Sequence, residues 1–228
     1  MDFSKFEKII GVEFNNRNIL EQAFTHRSYL NEQKDSKLEH NERLEFLGDA
    51  VLELAVTKFL YENFPDKNEG DLTSYRAALV NSTTCAKVAG DLNFNDFLLL
   101  SKGESRDTGR ARQYILANTL EAVIGAIYLD KGYPEAEAFV LKNVTPLIQE
   151  IIQNRSWLDA KSRFQEKAQE ILNITPSYKV LKEVGPDHDK RFTSGVFLND
   201  ELAAKGDGES KQDAEQVAAE KALKEKNW

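Results

Sequence analysis

The stretch NERLEFLGDA, residues 41–50, sets Glu42, Glu45 and Asp49 at helical spacing. Carboxylates three and four residues apart share a helix face and repel, at roughly a few tenths of a kcal/mol per pair. With Glu53 they fall within about 80° of one another on a helical wheel. Leu44, Leu47, Val51, Leu54 and Ala55 fill the other face, so a buried side and an acidic side are expected. Taken alone, a solvated acidic face explains such a stripe.

A second segment gives the stripe a different meaning. In ILANTLEAVIGAIYLD, residues 115–130, the clearly polar side chains before Tyr128 are Asn118, Thr119 and Glu121. An ionised glutamate on a helix that is apolar all round costs several kcal/mol unless it is paired. No lysine or arginine lies between Arg112 and Lys131. A lysine or arginine from elsewhere, or a cation, must therefore meet Glu121. Gly48 and Gly125 sit in mid-helix, where glycine costs about 1 kcal/mol relative to alanine. A close crossing of the two helices there accounts for both. It also brings Glu45, Asp49, Asn118 and Glu121 together. Oxygen ligands in a partly hydrated pocket suit Mg²⁺ or Mn²⁺. Such ions activate water and neutralise a phosphodiester during in-line displacement.

The elements that must position these groups are legible as periodicity. Helices are expected over 3–10, 17–30, 40–63, 71–90, 111–130 and 134–153, with loops at FPDKNEGD and SKGESRDTGR. Gly90 is a plausible helix stop, and His40 precedes or caps the helix that follows it. Nothing before residue 155 alternates as a strand should. After QNRSWLDA, a linker, the pattern changes. Residues 159–172 are helical, PSYKVLKEV and KRFTSGVFLND alternate as strands, ELAAKGDG reads as a third, and SKQDAEQVAAEKALKEK closes as an alanine-rich helix. The fold class is thus multidomain, with an all-α domain over 1–154 followed by an α-β-β-β-α (α+β) domain over 158–228.

Composition narrows the function. Cys85 is the single cysteine, so disulfide frameworks and cysteine metal clusters are excluded. Among its small neighbours it reads as a packed thiol, with a reactive thiol as the alternative. No apolar run is long enough to span a bilayer, and the N-terminus lacks a signal-peptide core. The expectation is a cytoplasmic protein with no membrane partner and no small-molecule cofactor. Net charge is −8, and neither domain is basic overall. Any polyanion must be met by local placement or by metal ions.

The motifs now resemble a known family. HNERLEFLGDAVL, FTHRSY (24–29), FP…EG.LT..RA.LV (64–80), KGE (102–104), GR (109–110) and ANTLEAVIGAIYLD (117–130) resemble, in order and spacing, the nuclease domain of the ribonuclease III family. The last third is similar to a double-stranded-RNA-binding domain in RFQEKAQE, GPDHDKRF and GDGESKQDAEQVAAEKAL. The resemblance implies a homodimer that hydrolyses double-stranded RNA with Mg²⁺, leaving 5′-phosphate and 3′-hydroxyl ends with short 3′ overhangs. Processing of ribosomal precursors and other RNAs is implied with it. Glu45, Asp49 and Glu121 match the family's metal-binding and catalytic acids, with Asp49 and Glu121 most directly tied to the hydrolytic step. Glu42 and Glu69 match accessory acids. Phe46 matches an aromatic that packs into the partner subunit; an ordinary core phenylalanine is the other reading. Asn118 stands where the best-known members have aspartate. Either it serves as a neutral ligand, or the protein is catalytically impaired and mainly binds RNA.

The resemblance also places RNA contacts. Gln165 and Glu166 would face one minor groove, and the loop 185–190, with Pro186 and His188, the next. Lys211 would meet phosphates at the start of the last helix, helped by its N-terminal dipole. Gln212 follows Lys211 where the family usually has a second basic residue, and this favours modest, salt-dependent affinity. Lys221, Lys224 and Lys226 read as a solvated face, and His26 as a hydrogen-bonding rather than catalytic residue. A metal-binding helical domain without an RNA role is a third option, opposed by the GPDHDK-bearing module.

Overall fold

The computed structural model describes all residues except 1, 34–37, 158 and 187–189. The described helices are α1 (Ser4–Ile10), α2 (Arg17–Ala23), α3 (Arg27–Glu32), α4 (Glu42–Asn63), α5 (Glu69–Val80), α6 (Ser82–Asp91), α7 (Arg110–Lys131), α8 (Tyr133–Asn143) and α9 (Ile148–Gln153). They are followed by α10 (Ala160–Leu172), strands β1 (Ser177–Val184), β2 (Arg191–Leu198) and β3 (Glu201–Gly208), and α11 (Lys211–Lys226). The chain divides into two compact units, Met1–Asn154 and Arg155–Trp228. Among the described residues no helix is long and apolar enough to cross a membrane.

In the first unit α7 is the central element. Ile115, Leu116, Ala117, Leu120, Ala122, Val123, Ile124, Ala126 and Ile127 are all buried, as its all-round apolar sequence requires. Helices α4, α6 and α8 pack around it. A knot of rings (Phe3, Phe6, Phe24, Phe94 and Phe97) seals the side formed by α1 and α2, with Phe6 edge-on to Phe24 at 4.7 Å.

Helices α4 and α7 touch backbone to backbone. A Cβ added at Gly48 would overlap the Glu121 carbonyl oxygen, and one added at Gly125 would overlap the Leu44 carbonyl oxygen. Each glycine thus offsets its helix-propensity penalty by permitting an approach that no other residue allows.

Three expected helices and the places of two residues differ. The span 17–30 is two helices, because Thr25 bridges Leu99 and His26 N–H donates to the Leu99 carbonyl. Extended backbone at His26 starts α3, whose cap is the His26 ring, accepting from Ser28 N–H. The span 71–90 starts earlier, at Glu69, and breaks at Asn81, whose side chain caps α6 by accepting from Thr84 N–H. Gly90 lies inside α6, one residue before its end. The span 134–153 breaks into α8, a 3-10 turn over Thr145–Leu147 containing Pro146, and α9; proline cannot supply the missing N–H. Leu54, assigned to the buried face of α4, is 56% exposed.

The second unit has the expected order. Strands β1-β2-β3 form one antiparallel sheet. Ser194, Val196 and Leu198 of β2 point inward at alternate positions, and Phe164, Ala168, Ala218, Ala219, Ala222 and Leu223 of α10 and α11 join Val196 and Leu198 in the core. Small alanines let α11 lie close on β3.

A direct check compares two glycines. Gly125→Ala should lower stability by about 2 kcal/mol or more through overlap. Gly90→Ala, with nothing within 4 Å of its added Cβ, should be neutral or stabilising by up to about 1 kcal/mol. Thermal unfolding measures both; equal effects would contradict the close crossing.

Candidate active site and RNA-binding surface

Glu45 and Asp49 project from α4, and Asn118 and Glu121 from α7, beside the Gly48–Gly125 contact. The Asn118 side chain is near enough to Glu45 to favour its ionised carboxylate. Burial pushes the Glu121 carboxyl up to about 8, and the like charges of Asp49 and Glu45 add to it. Glu45 is raised too, first by burial, then by Glu42, with the Asn118 hydrogen bond opposing and Asp49 adding. Glu121 is thus met by anions on α4, and the cationic complement its sequence demands is not supplied by those neighbours.

The donor set is all oxygen and suits a hard divalent ion. It is not closed around one point. Among the described residues no group of three or more His, Cys, Asp or Glu side chains is arranged to hold a metal ion. Asp49 is exposed at the rim of the cluster, and the Asn118 amide has an oxygen that can face a cation. The residues fit a hard divalent ion chemically.

Of the two accessory acids, Glu42 stands one turn before Glu45 and Glu69 lies away from the cluster. Glu42 pairs with Arg27 at 3.3 Å and lies 3.7 Å from His40. Glu69 opens α5 and lines a cavity of about 420 Å³ with Thr57, Leu60, Tyr61, Leu72, Thr73 and Arg76. Thr57 lies about 12 Å beyond Asp49 along α4, so one chain does not bring Glu69 to the cluster. Phe46 is 82% exposed, which excludes an ordinary core role within one chain. Cys85 is buried behind the site, and burial first, then Glu121 and Asp49, push its thiol up to about 12; it is a packed thiol. His26 is structural. Its Nδ1 lies 2.8 Å from Ser28 Oγ, which accepts from Ser101 N–H.

Sequence reasoning missed how the loop before α7 is held. Arg112 donates to the carbonyls of Asp107, Glu104 and Ser105, while Glu32 accepts from Lys102 N–H. These links run from polar side chains to loop backbone, the Arg112 ones local and the Glu32 one across the sequence, and no periodicity signals them.

In the second unit Gln165 and Glu166 are exposed on α10, with Glu166 3.8 Å from Arg155. Pro186 is exposed; His188 lies outside the described residues. Lys211 is the first residue of α11, pairs with Glu183 at 3.3 Å and lies over the Phe192 ring at 5.7 Å. A phosphate would compete with Glu183 for it.

The raised Glu121 pKa has a sign. Between about pH 4.5 and 8 the folded state keeps a proton that the unfolded chain has lost. Stability with divalent ions chelated should therefore fall as pH rises through that window. Unfolding midpoints across pH 4.5–8 should show the fall in the wild type and a flatter profile in Glu121→Gln; identical slopes would contradict the assignment.

Known proteins resemble this chain along most of its length. A model of Ribonuclease-III-like domains matches residues 16–148, and one of the double-stranded RNA binding motif matches residues 160–226. Ribonuclease 3 of Pelotomaculum thermopropionicum is 44% identical over 94% of this chain and 89% of its own. Ribonuclease 3 of Clostridium perfringens is 45% identical over 95% of this chain and 91% of its own. The crystallised nuclease domain of ribonuclease III from Campylobacter jejuni is 42% identical, with a TM-score of 0.58, covering 64% of this chain and 97% of that one. The chain belongs to the ribonuclease III family of endoribonucleases.

Proposed function

We propose that this double-stranded-RNA endonuclease hydrolyses phosphodiesters at the α4–α7 crossing, with Mg²⁺ or, in its place, Mn²⁺. The products are 5′-phosphate and 3′-hydroxyl ends with short 3′ overhangs. The observation that carries this reading is the meeting of Glu45, Asp49, Asn118 and Glu121 from two helices, where burial and the negative charge of Asp49 and Glu45 make Glu121 keep its own proton. A cation relieves that charge and lets a phosphodiester approach. Glu45 and Glu121, with the Asn118 amide oxygen, would hold the ion, and Asp49 would complete the set. When bound, the ion supplies charge neutralisation at the phosphate and an acidified water. Asp49, exposed at the rim, orients the attacking water and takes its proton, with Glu121 as partner. Glu42, through Arg27 and His40, steadies the start of α4. Glu69 serves as an accessory acid.

The working form is a homodimer. Phe46 is 82%, Leu54 56% and Tyr61 75% exposed along α4, and a second copy would cover them. Two sites would cut the two strands with a stagger, which yields the overhang. Gln165, Glu166, Pro186, His188 and Lys211 would grip the duplex by shape across about 16 bp. Cytoplasmic processing of ribosomal precursor and messenger RNA is the setting this chemistry suits. Asn118 favours a second reading, in which the protein binds duplex RNA with impaired cleavage.

Purified protein should cut a long RNA duplex as Mg²⁺ is titrated, and Asn118→Asp should lower the Mg²⁺ needed for half-maximal rate. Intact RNA binding with no cleavage at any Mg²⁺ or Mn²⁺ concentration would leave only the second reading. An unchanged metal requirement in Asn118→Asp would remove Asn118 from the ligand set.

A further inference from the structure

The exposed end of α7 carries a tyrosine and an arginine that the roles above leave unused. At about 100° per residue, Arg110, Tyr114, Asn118 and Glu121 fall within about 80° of one another. Tyr114 stands four residues before Asn118, about 6 Å along the axis. Its side chain is 45% exposed. The Arg110 guanidinium lies 5.7 Å from the ring centroid, and its Nη2 donates to the Tyr114 hydroxyl oxygen at 3.2 Å. The tyrosine is therefore held on one face by a cation, its oxygen accepts, and its O–H remains a donor. Arg112, the other cation in these turns, is turned to loop carbonyls.

We propose that Tyr114 is a substrate-binding residue that donates a hydrogen bond to a phosphate oxygen of the RNA strand lying across the acidic cluster, with Arg110 fixing the ring and adding positive charge. The inference rests on reading the α4–α7 crossing as the cleavage site. A polyanion near three carboxylates needs a compensating attraction beside them. Arg110 supplies that charge on the same stripe of α7. The strand would then be anchored one turn from Asn118, in contacts that read no sequence. A tyrosine serving packing alone would be buried on the inner face, as Ile115 and Leu116 are.

The test is Tyr114→Phe in the full-length protein, which keeps the ring and removes the donor. Two quantities are compared with the wild type: duplex-RNA affinity with divalent ions chelated, and kcat and KM with Mg²⁺. The expected result is about tenfold weaker binding and a matching rise in KM, with kcat within about twofold. Unchanged affinity, or a fall in kcat with KM unchanged, would overturn the proposal. A wild-type protein that binds but does not cut would sink the nuclease reading instead, and the chelated titration would still decide the role of Tyr114.

Discussion

The contact between the backbones of α4 and α7 is the constraint on which the site depends. Two glycines make it possible, and a methyl group at either would overlap a carbonyl of the facing helix. The approach places the outward side chains of one helix beside those of the other. Glu45 thereby comes within hydrogen-bonding reach of Asn118, and Glu121 within the field of Glu45 and Asp49. Without that closeness the same residues would be an acidic stripe on one helix and a lone glutamate on the other, with no shared site. The apolar surround of α7 then does the rest, because it raises the cost of an ionised Glu121 and so the value of a cation there.

The arrangement opposes stability by design. Like charges are concentrated beside the tightest packing in the first unit, and Glu121 responds by holding its proton up to about pH 8. Sites tuned for function commonly carry such a penalty, offset by packing elsewhere. Here the offset is the buried α7 and the ring cluster of Phe3, Phe6, Phe24, Phe94 and Phe97.

The crossing was legible because its signals are local. Mid-helix glycines at 48 and 125, a carboxylate stripe, and a lone glutamate in an apolar helix each break a simple rule. The α-β-β-β-α order was legible from alternation and alanine content. What stayed hidden depends on distant partners. Thr25 and His26 leave the helix to pair with Leu99, and no window around residues 17–30 contains that information. Asn81 had a capping residue's chemistry but sits in a helical pattern. Pro146 was a local signal passed over. Leu54 shows the limit of a wheel, since it borders both faces and ends up outside. Phe46 could not be assigned from composition, because an aromatic on a helix reads as core until its exposure is known. Glu69 belongs to the same class: its place beside Thr57 and Tyr61 is set by how α5 packs on α4.

The two units divide the labour of meeting a polyanion with an acidic chain. In the proposed reading the second would grip by shape with few charges, and the first would rely on a cation where its own carboxylates converge. The most direct measurement of that claim is anomalous diffraction from crystals of the protein soaked with Mn²⁺. The account predicts a peak at the α4–α7 crossing, within coordination distance of Glu45, Glu121 and the Asn118 amide oxygen. A peak confined to other acidic residues, or no ordered ion at the crossing at saturating Mn²⁺, would contradict it.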